Sequence, residues 1–201
     1  MVRLRTRRRP ESGLAYRLFL RLDVEKYSRL DTRQQVEAQE DLRRLVDESA
    51  RLTGLMTDDW YRQGAGDGEL VAFPADIDIL RTVGTFTHRL QSGLQRLNLN
   101  RNPDLRLRVA FHHGTMAPGP LGPAGDGPIV VSRLLDADPL RAYLTEHPDL
   151  ALALAVSESL YNDVIRTGLC ELAPERFIPL EVEVKQVVYR GYIYDGNGSP
   201  A

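Results

Sequence analysis

Residues 14 to 28 read LAYRLFLRLDVEKYS, from Leu14 to Ser28. Apolar and charged positions alternate up to Asp23, the pattern of a strand with one face on the core, and an acidic residue ends it where the chain leaves the core. A ligand site is expected at that carboxyl end. Downstream, Thr32 with Gln35 three residues on reads as a capping box for a helix to about Leu52. That helix puts Val36, Leu42, Leu45, Val46 and Ala50 on one face, and Gly54 ends it. Asp59 to Gln63 and Glu69 to Phe73 read as strands joined through Gly64, Gly66 and Gly68, with Asp67 at the tip of the turn.

A second helix is expected over Asp76 to Leu97, and Asp104 to His112 returns as an alternating strand. Gly114 to Pro128, GTMAPGPLGPAGDGP, reads as a surface excursion because Gly and Pro interrupt regular structure. Helical character returns over Val130 to Leu144 and a strand over Ala151 to Val156. Ser157 is a good N-cap for a helix closing at Gly168, and LEVEVKQV and YRGYIYD alternate like a terminal strand pair. This order predicts an α+β fold with a ferredoxin-like β-α-β-β-α-β core and a C-terminal α/β extension. One catalytic domain is expected over residues 13–196, between a basic tail (1–12) and a short C-terminal tail (197–201).

The length of 201 residues and 42% hydrophobic content suffice for a single buried core. No apolar run of about 18 residues occurs, so no membrane span is expected, and a cytoplasmic location follows as the expectation. Cys170 has no second cysteine for a disulfide or thiolate zinc site and reads as a small hydrophobe. A net charge of −2 gives no general reason to expect nucleic-acid binding, although Arg3, Arg5, Arg7, Arg8 and Arg9 cluster at the start. Lys26 and Lys185 are the only lysines. Trp60 and Phe73 read as core aromatics, and Lys185 as a surface strand residue.

Asp23 and Asp67 lie at two points that a β-α-β-β core can bring together. Two adjacent carboxylates repel unless a divalent cation lies between them, and Mg²⁺ or Mn²⁺ with bound triphosphate suits a site with few carboxylates. On spacing alone, turn geometry for Asp67 and a cap for Asp23 account for them at least as well. His112 and His113 read as strand and turn residues, since neighbours on a strand point to opposite faces and cannot jointly hold one ion.

RLFLRLDVEKYS, RQGAGDGELVAFP, LRLRVAFHHGTM and GDGPIVVSRLLDA, in this order, resemble the four signature regions of class III nucleotidyl cyclases. The C-terminal stretch, LALAVSESLYNDVIRTG with VEVKQVVYRGYIY, is similar to stand-alone cyclase-like proteins that overlap the pyrimidine cyclases of Pycsar anti-phage defence. The resemblance implies Asp23, the Val24 backbone and Asp67 as ligands of two divalent cations, Mn²⁺ or Mg²⁺. It implies a triphosphate near the Tyr27-Ser28 turn and Arg133 as the arginine that neutralises charge on the α-phosphate. It further implies a head-to-tail homodimer in which each site takes its aspartates from one subunit and its arginine from the other.

This chain departs from the purine cyclases at three points. One is the Pro-rich loop before Arg133, which can shift the register and bring Ser132 or Asp126 where other residues are expected. Four positions before Asp67, where the purine cyclases carry a base-reading lysine, stands Gln63 beside Tyr61 and Arg62. Tyr61 or Arg62 can stack on a pyrimidine, and Gln63 can donate to and accept from its edge, which points to UTP first and CTP next. Four positions before Arg133, where an asparagine is usual, stands Ile129. The expected function is therefore a uridylate cyclase whose product, cUMP, signals to an effector in anti-phage defence. The alternatives are a degenerate cyclase-like nucleotide sensor and an adenylate cyclase.

Overall fold

The computed structural model describes residues 13–196; the two expected tails, 1–12 and 197–201, lie outside the described residues. The chain opens with β1 (Ala15–Val24), a short 3₁₀ turn at Tyr27–Arg29 and α1 (Thr32–Thr53). The hairpin β2 (Tyr61–Gly64) and β3 (Gly68–Ala72) follows, then α2 (Ile79–Val83), α3 (Thr85–Asn98) and β4 (Leu107–Gly119). Next come β5 (Gly122–Ala124), α4 (Asp126–Leu135), α5 (Asp138–Glu146), β6 (Leu152–Ser157) and α6 (Glu158–Asp163). The terminal hairpin is β7 (Phe177–Val184) and β8 (Val187–Tyr194). Among the described residues no helix is long and apolar enough to cross a membrane.

The strands form one sheet in the order β2-β3-β1-β4-β6-β8-β7, with β5 added to β4. Its first four strands are antiparallel neighbours in the arrangement of a ferredoxin-like core, and β6 extends it by pairing parallel to β4. The expected α+β architecture is therefore the observed one. Strand alternation separates two cores. Leu18, Leu20, Leu22 and Val24 pack with Phe86, Leu90 and Leu94 under α1 and α3. On the other face Phe19 joins Val131, Leu134, Leu140 and Leu144 of α4 and α5. Arg21 and Asp23 share the face of Phe19, at the end of β1 nearest the β2-β3 turn.

Several local expectations are corrected. Asp31 caps α1: its Oδ1 accepts from the Gln34 N–H at 2.8 Å, and Gln34 Oε1 accepts from the Asp31 N–H at 3.0 Å. The box lies one residue earlier than Thr32 and Gln35, because a carboxylate at Asp31 outcompetes the neighbouring hydroxyl for the same orphan amides. Val36 is exposed, and Ala38 takes its place on the buried stripe. The helix expected over 76–97 is broken at Gly84 into α2 and α3. That expected over 130–144 divides into α4 and α5, where Pro139 cannot supply the N–H that would continue α4.

The Gly- and Pro-rich stretch is no structureless excursion. β4 continues through it to Gly119, Pro118 pairs opposite Pro123 on β5, and α4 begins at Asp126. The β1–β4 ladder ends at Ala15 opposite Met116, so Pro118 and Pro123 stand on an edge where missing N–H groups leave no ladder bond unmade.

Candidate functional site

Two features force the tip of the β2-β3 turn against the end of β1. Gly66 has φ +71°, a backbone that L side chains rarely adopt. Gly68 sits opposite Asp23, and a Cβ there would run into the Leu22 carbonyl oxygen and lie 2.7 Å from Asp23 Cα. The close approach is sealed by the Val24 N–H, which donates to the Asp67 carbonyl at 2.9 Å. Asp67 is thereby held beside Asp23, near enough for its charge to raise the Asp23 pKa.

Asp23 is buried and faces Arg108, its cross-strand neighbour on β4. Arg108 Nε donates to Asp23 Oδ1 at 2.9 Å and a terminal nitrogen to Oδ2 at 2.5 Å, a fork-to-fork pair. Burial pushes the Asp23 carboxyl up to about 6; Arg108 pulls the other way, and the negative charges of Asp67 and Asp136 add to the rise. A buried acid pressed by a second carboxylate has the chemistry of a hard-cation ligand, provided Arg108 yields the two oxygens it now occupies. Among the described residues no group of three or more His, Cys, Asp or Glu side chains could hold a metal by itself. The pair therefore fits a cation whose remaining ligands come from outside the chain, such as phosphate oxygens.

Around this point the 3₁₀ turn is tied down. Gln39 Nε2 of α1 donates to Tyr27 Oη at 2.6 Å and to the Gly66 carbonyl at 2.8 Å. Arg106 donates to Glu25 Oε2 at 2.9 Å and to the carbonyls of Leu144, His147 and Leu150, which fastens the residue after Val24 to the start of β6.

A second feature lies on the same sheet face. Arg21, Leu70, Pro123, Ala124, Ile129 and Arg133 are among the residues around an open cavity of about 490 Å³ between β1, β3, β5 and α4. A larger groove of about 610 Å³ separates α1 from α3, but neither Asp23 nor Asp67 lines it.

No family model and no curated protein sequence matches the chain. Solved structures do. The guanylyl cyclase Cya2 superposes with a TM-score of 0.65 at 16% identity, covering 94% of this chain and 96% of its own. The adenylate/guanylate cyclase/hydrolase from Silicibacter pomeroyi gives 0.67 at 18%, covering 93% and 100%. The guanylate cyclase domain of RhGC from Catenaria anguillulae, solved with GTP, gives 0.61 at 15%, covering 91% and 98%. The fold is that of a class III nucleotidyl cyclase domain.

Within this cyclase fold the expected site residues fall into three groups. Asp23, Val24 and Asp67 meet at one point, with Tyr27 and Ser28 in the turn that follows. Arg133 is on α4, at the cavity, beside Ser132 and the half-exposed Ile129. Tyr61, Arg62 and Gln63 divide by strand alternation. Arg62 turns toward α1, where it pairs with Asp47 and donates to Glu69 Oε2 at 2.8 Å. Tyr61 Oη donates to Gln63 Oε1 at 3.3 Å on the other face. The β4-β5 turn rests on these two: a Cβ at Gly122 would lie 2.7 Å from Gln63 Oε1 and 3.1 Å from Tyr61 Oη.

Sequence reasoning missed Arg108, Gln39 and Arg21. The alternation in LRLRV marks Arg108 as a strand residue, but only the β1–β4 register puts it opposite Asp23. His112 is buried, its Nδ1 2.8 Å from Ser157 Oγ, and burial followed by the charge of His113 pushes it down to about 4. His113 packs on Tyr16 with ring centroids 4.2 Å apart, so the two histidines point apart as expected.

Proposed function

We propose that this chain is a nucleotidyl cyclase that converts a nucleoside triphosphate to its 3′,5′-cyclic monophosphate and pyrophosphate, acting as a homodimer. The observation that carries the reading is the Asp23-Asp67 pair, held by the Val24 N–H and by the missing side chain of Gly68, on a cyclase fold.

Asp23, Asp67 and the Val24 backbone are the residues that would hold two divalent cations, Mn²⁺ or Mg²⁺, together with the triphosphate. Bound there, such ions polarise the phosphoryl oxygens and acidify the attacking hydroxyl. Arg108, whose donors neutralise Asp23 in the free chain, can release them to phosphate oxygens once Asp23 has another counter-charge. The Tyr27-Ser28 turn, which follows Asp23 and is tied to the β2-β3 turn through Gln39, would face the triphosphate, as the resemblance implies. Arg133 makes no hydrogen bond or ion pair with another described residue, which leaves its fork of donors for the α-phosphate as the ribose 3′-hydroxyl attacks. The reaction asks of the protein mainly position and charge, and these residues supply both.

UTP is the favoured substrate and CTP the next, since Gln63 stands where purine cyclases carry lysine. The product would then be a second messenger for a separate effector, the use implied by the resemblance to anti-phage pyrimidine cyclases. Ile129 favours one other reading: half-exposed beside Arg133, it brings no polar atom to a ribose, as in a domain that binds nucleotide without turnover.

The test is incubation with Mn²⁺ and ATP, GTP, CTP or UTP, with products identified by mass spectrometry beside an Asp67→Ala control. Cyclic UMP absent from the control supports the proposal, and cyclic AMP keeps the mechanism but overturns the base. With a dimer confirmed, no cyclic product from any nucleotide transfers the assignment to the sensor reading.

A further inference from the structure

Of the residues that best suited base recognition on sequence grounds, Arg62 is engaged elsewhere in the fold. Arg62 is committed to Asp47 and Glu69 on the α1 side. Tyr61 and Gln63 are exposed beside the turn at Gly122 and share one long hydrogen bond of 3.3 Å, without an element that fixes either of them toward the cavity. Arg21, by contrast, is half-buried on the floor of the 490 Å³ cavity and makes no hydrogen bond or ion pair with another described residue. Its N–H donors face the open cavity and are committed to no other side chain, so they are available to a ligand bound there.

The surroundings narrow the ligand. Leu70, Pro123, Ala124, Pro128 and Ile129 give the cavity an apolar side beside its polar side of Arg21, Ser132 and Arg133, a mixed lining that suits a planar ring carrying polar edge groups. Register places Arg21 between Leu70 on β3 and Ala110 on β4, with Gln63 beyond Leu70 in the same row. Arg133 lines the same cavity. A nucleotide with its phosphates at Arg133 would therefore meet Arg21 with its base.

We infer that Arg21 is the base-reading residue, its planar fork donating to one ring carbonyl oxygen of uracil. The inference rests on the nucleotide-binding part of the proposed function, and it moves specificity from Tyr61, Arg62 and Gln63 to β1. A guanidinium has only donors, so it favours a base that presents carbonyl oxygens and gains nothing from the amino group of adenine. Tyr61 and Gln63 then act as supports that hold the β4-β5 turn over the pocket.

Binding is measured apart from turnover with 3′-deoxy-UTP and 3′-deoxy-ATP, which lack the attacking hydroxyl, by calorimetry on the full chain with Mn²⁺. The variants are Arg21→Ala and Arg21→Lys, the second keeping the charge and losing the fork. The expected result is a uridine preference of about tenfold or more in the native protein, collapsing in both variants. An unchanged ratio in Arg21→Ala overturns the inference. So does an equal weakening of both ligands that Arg21→Lys restores, since that is the signature of a phosphate contact. If the native chain binds 3′-deoxy-UTP with this preference but yields no cyclic product from UTP, the cyclase reading fails and Arg21 keeps its role. If it binds neither ligand, both fall.

Discussion

At the scale of single residues, close backbone approach and burial govern the site. Gly68→Ala should cost about 1 to 3 kcal/mol, because its methyl group meets the β1 backbone, and neither strand can withdraw without losing the ladder. Gly64→Ala, where nothing lies within 4 Å, should leave the thermal midpoint almost unchanged. Equal midpoints for the two variants would show that the hairpin does not press on Asp23. His112 gives a second prediction, whose sign follows from where the proton resides. The folded imidazole stays neutral down to about pH 4, whereas an unfolded one protonates near 6.5. Between these values the unfolded state binds the extra proton, so this stabilisation is complete above about pH 6.5 and is lost as the pH falls toward 4. Asp23, raised from 3.8 to about 6, works in the opposite direction over that range, so the comparison must be differential. The groups around His112 are Ser157, His113 and Asp126. Urea unfolding at pH 7.5 and pH 5 should show the native chain losing about 2 kcal/mol more than His112→Asn. Parallel losses in the two proteins would sink the assignment.

At the scale of elements, the contact between α1 and the β2-β3 turn matters most. The Gln39 amide joins Tyr27, after Asp23, to Gly66, before Asp67, so one side chain spans both segments that carry the carboxylates. Gln39→Leu should weaken Mn²⁺ binding about tenfold, as loss of outer-sphere support commonly does, with a much smaller effect on unfolding. Gln39→Glu, which cannot donate when ionised, should not restore it. Manganese titration by electron paramagnetic resonance reads both variants, and native affinity in Gln39→Leu would refute the link. Gln39 carried no sequence signal, since an exposed glutamine on a helix is ordinary. What the sequence did carry was period and punctuation. β1, α1 with its Gly54 end, the glycine hairpin and the Ser157 cap were all legible, because each is set by neighbours within a few residues. The continuation of β4 into the Pro-rich stretch was not legible, since it depends on β1 lying alongside as far as Ala15. The same limit hid Arg108 and Arg21. Side-chain facing was readable from alternation, but the partner across the sheet is set by register.

At the scale of the whole molecule, the proposed mechanism needs two chains, and that makes a prediction independent of which base is used. If each site draws Asp23 and Asp67 from one subunit and Arg133 from its partner, Asp67→Ala and Arg133→Ala homodimers both lack a complete site. A heterodimer of the two concentrates both defects in one site and leaves the other intact. Mixing equal amounts, with time for subunits to exchange, gives half heterodimers, each with one working site of two. Activity should therefore return to about a quarter of the native value at the same total protein concentration, by the statistics of a two-fold assembly. If instead all the residues of one site come from a single chain, each variant loses both of its sites, and the mixture stays as inactive as its components. Sequential affinity capture of the mixture, with a different tag on each variant, checks that heterodimers are present. A recovery near a quarter then assigns the site to the interface, whereas none among confirmed heterodimers assigns it to one chain, with Arg133 serving the Asp23 and Asp67 of its own sheet.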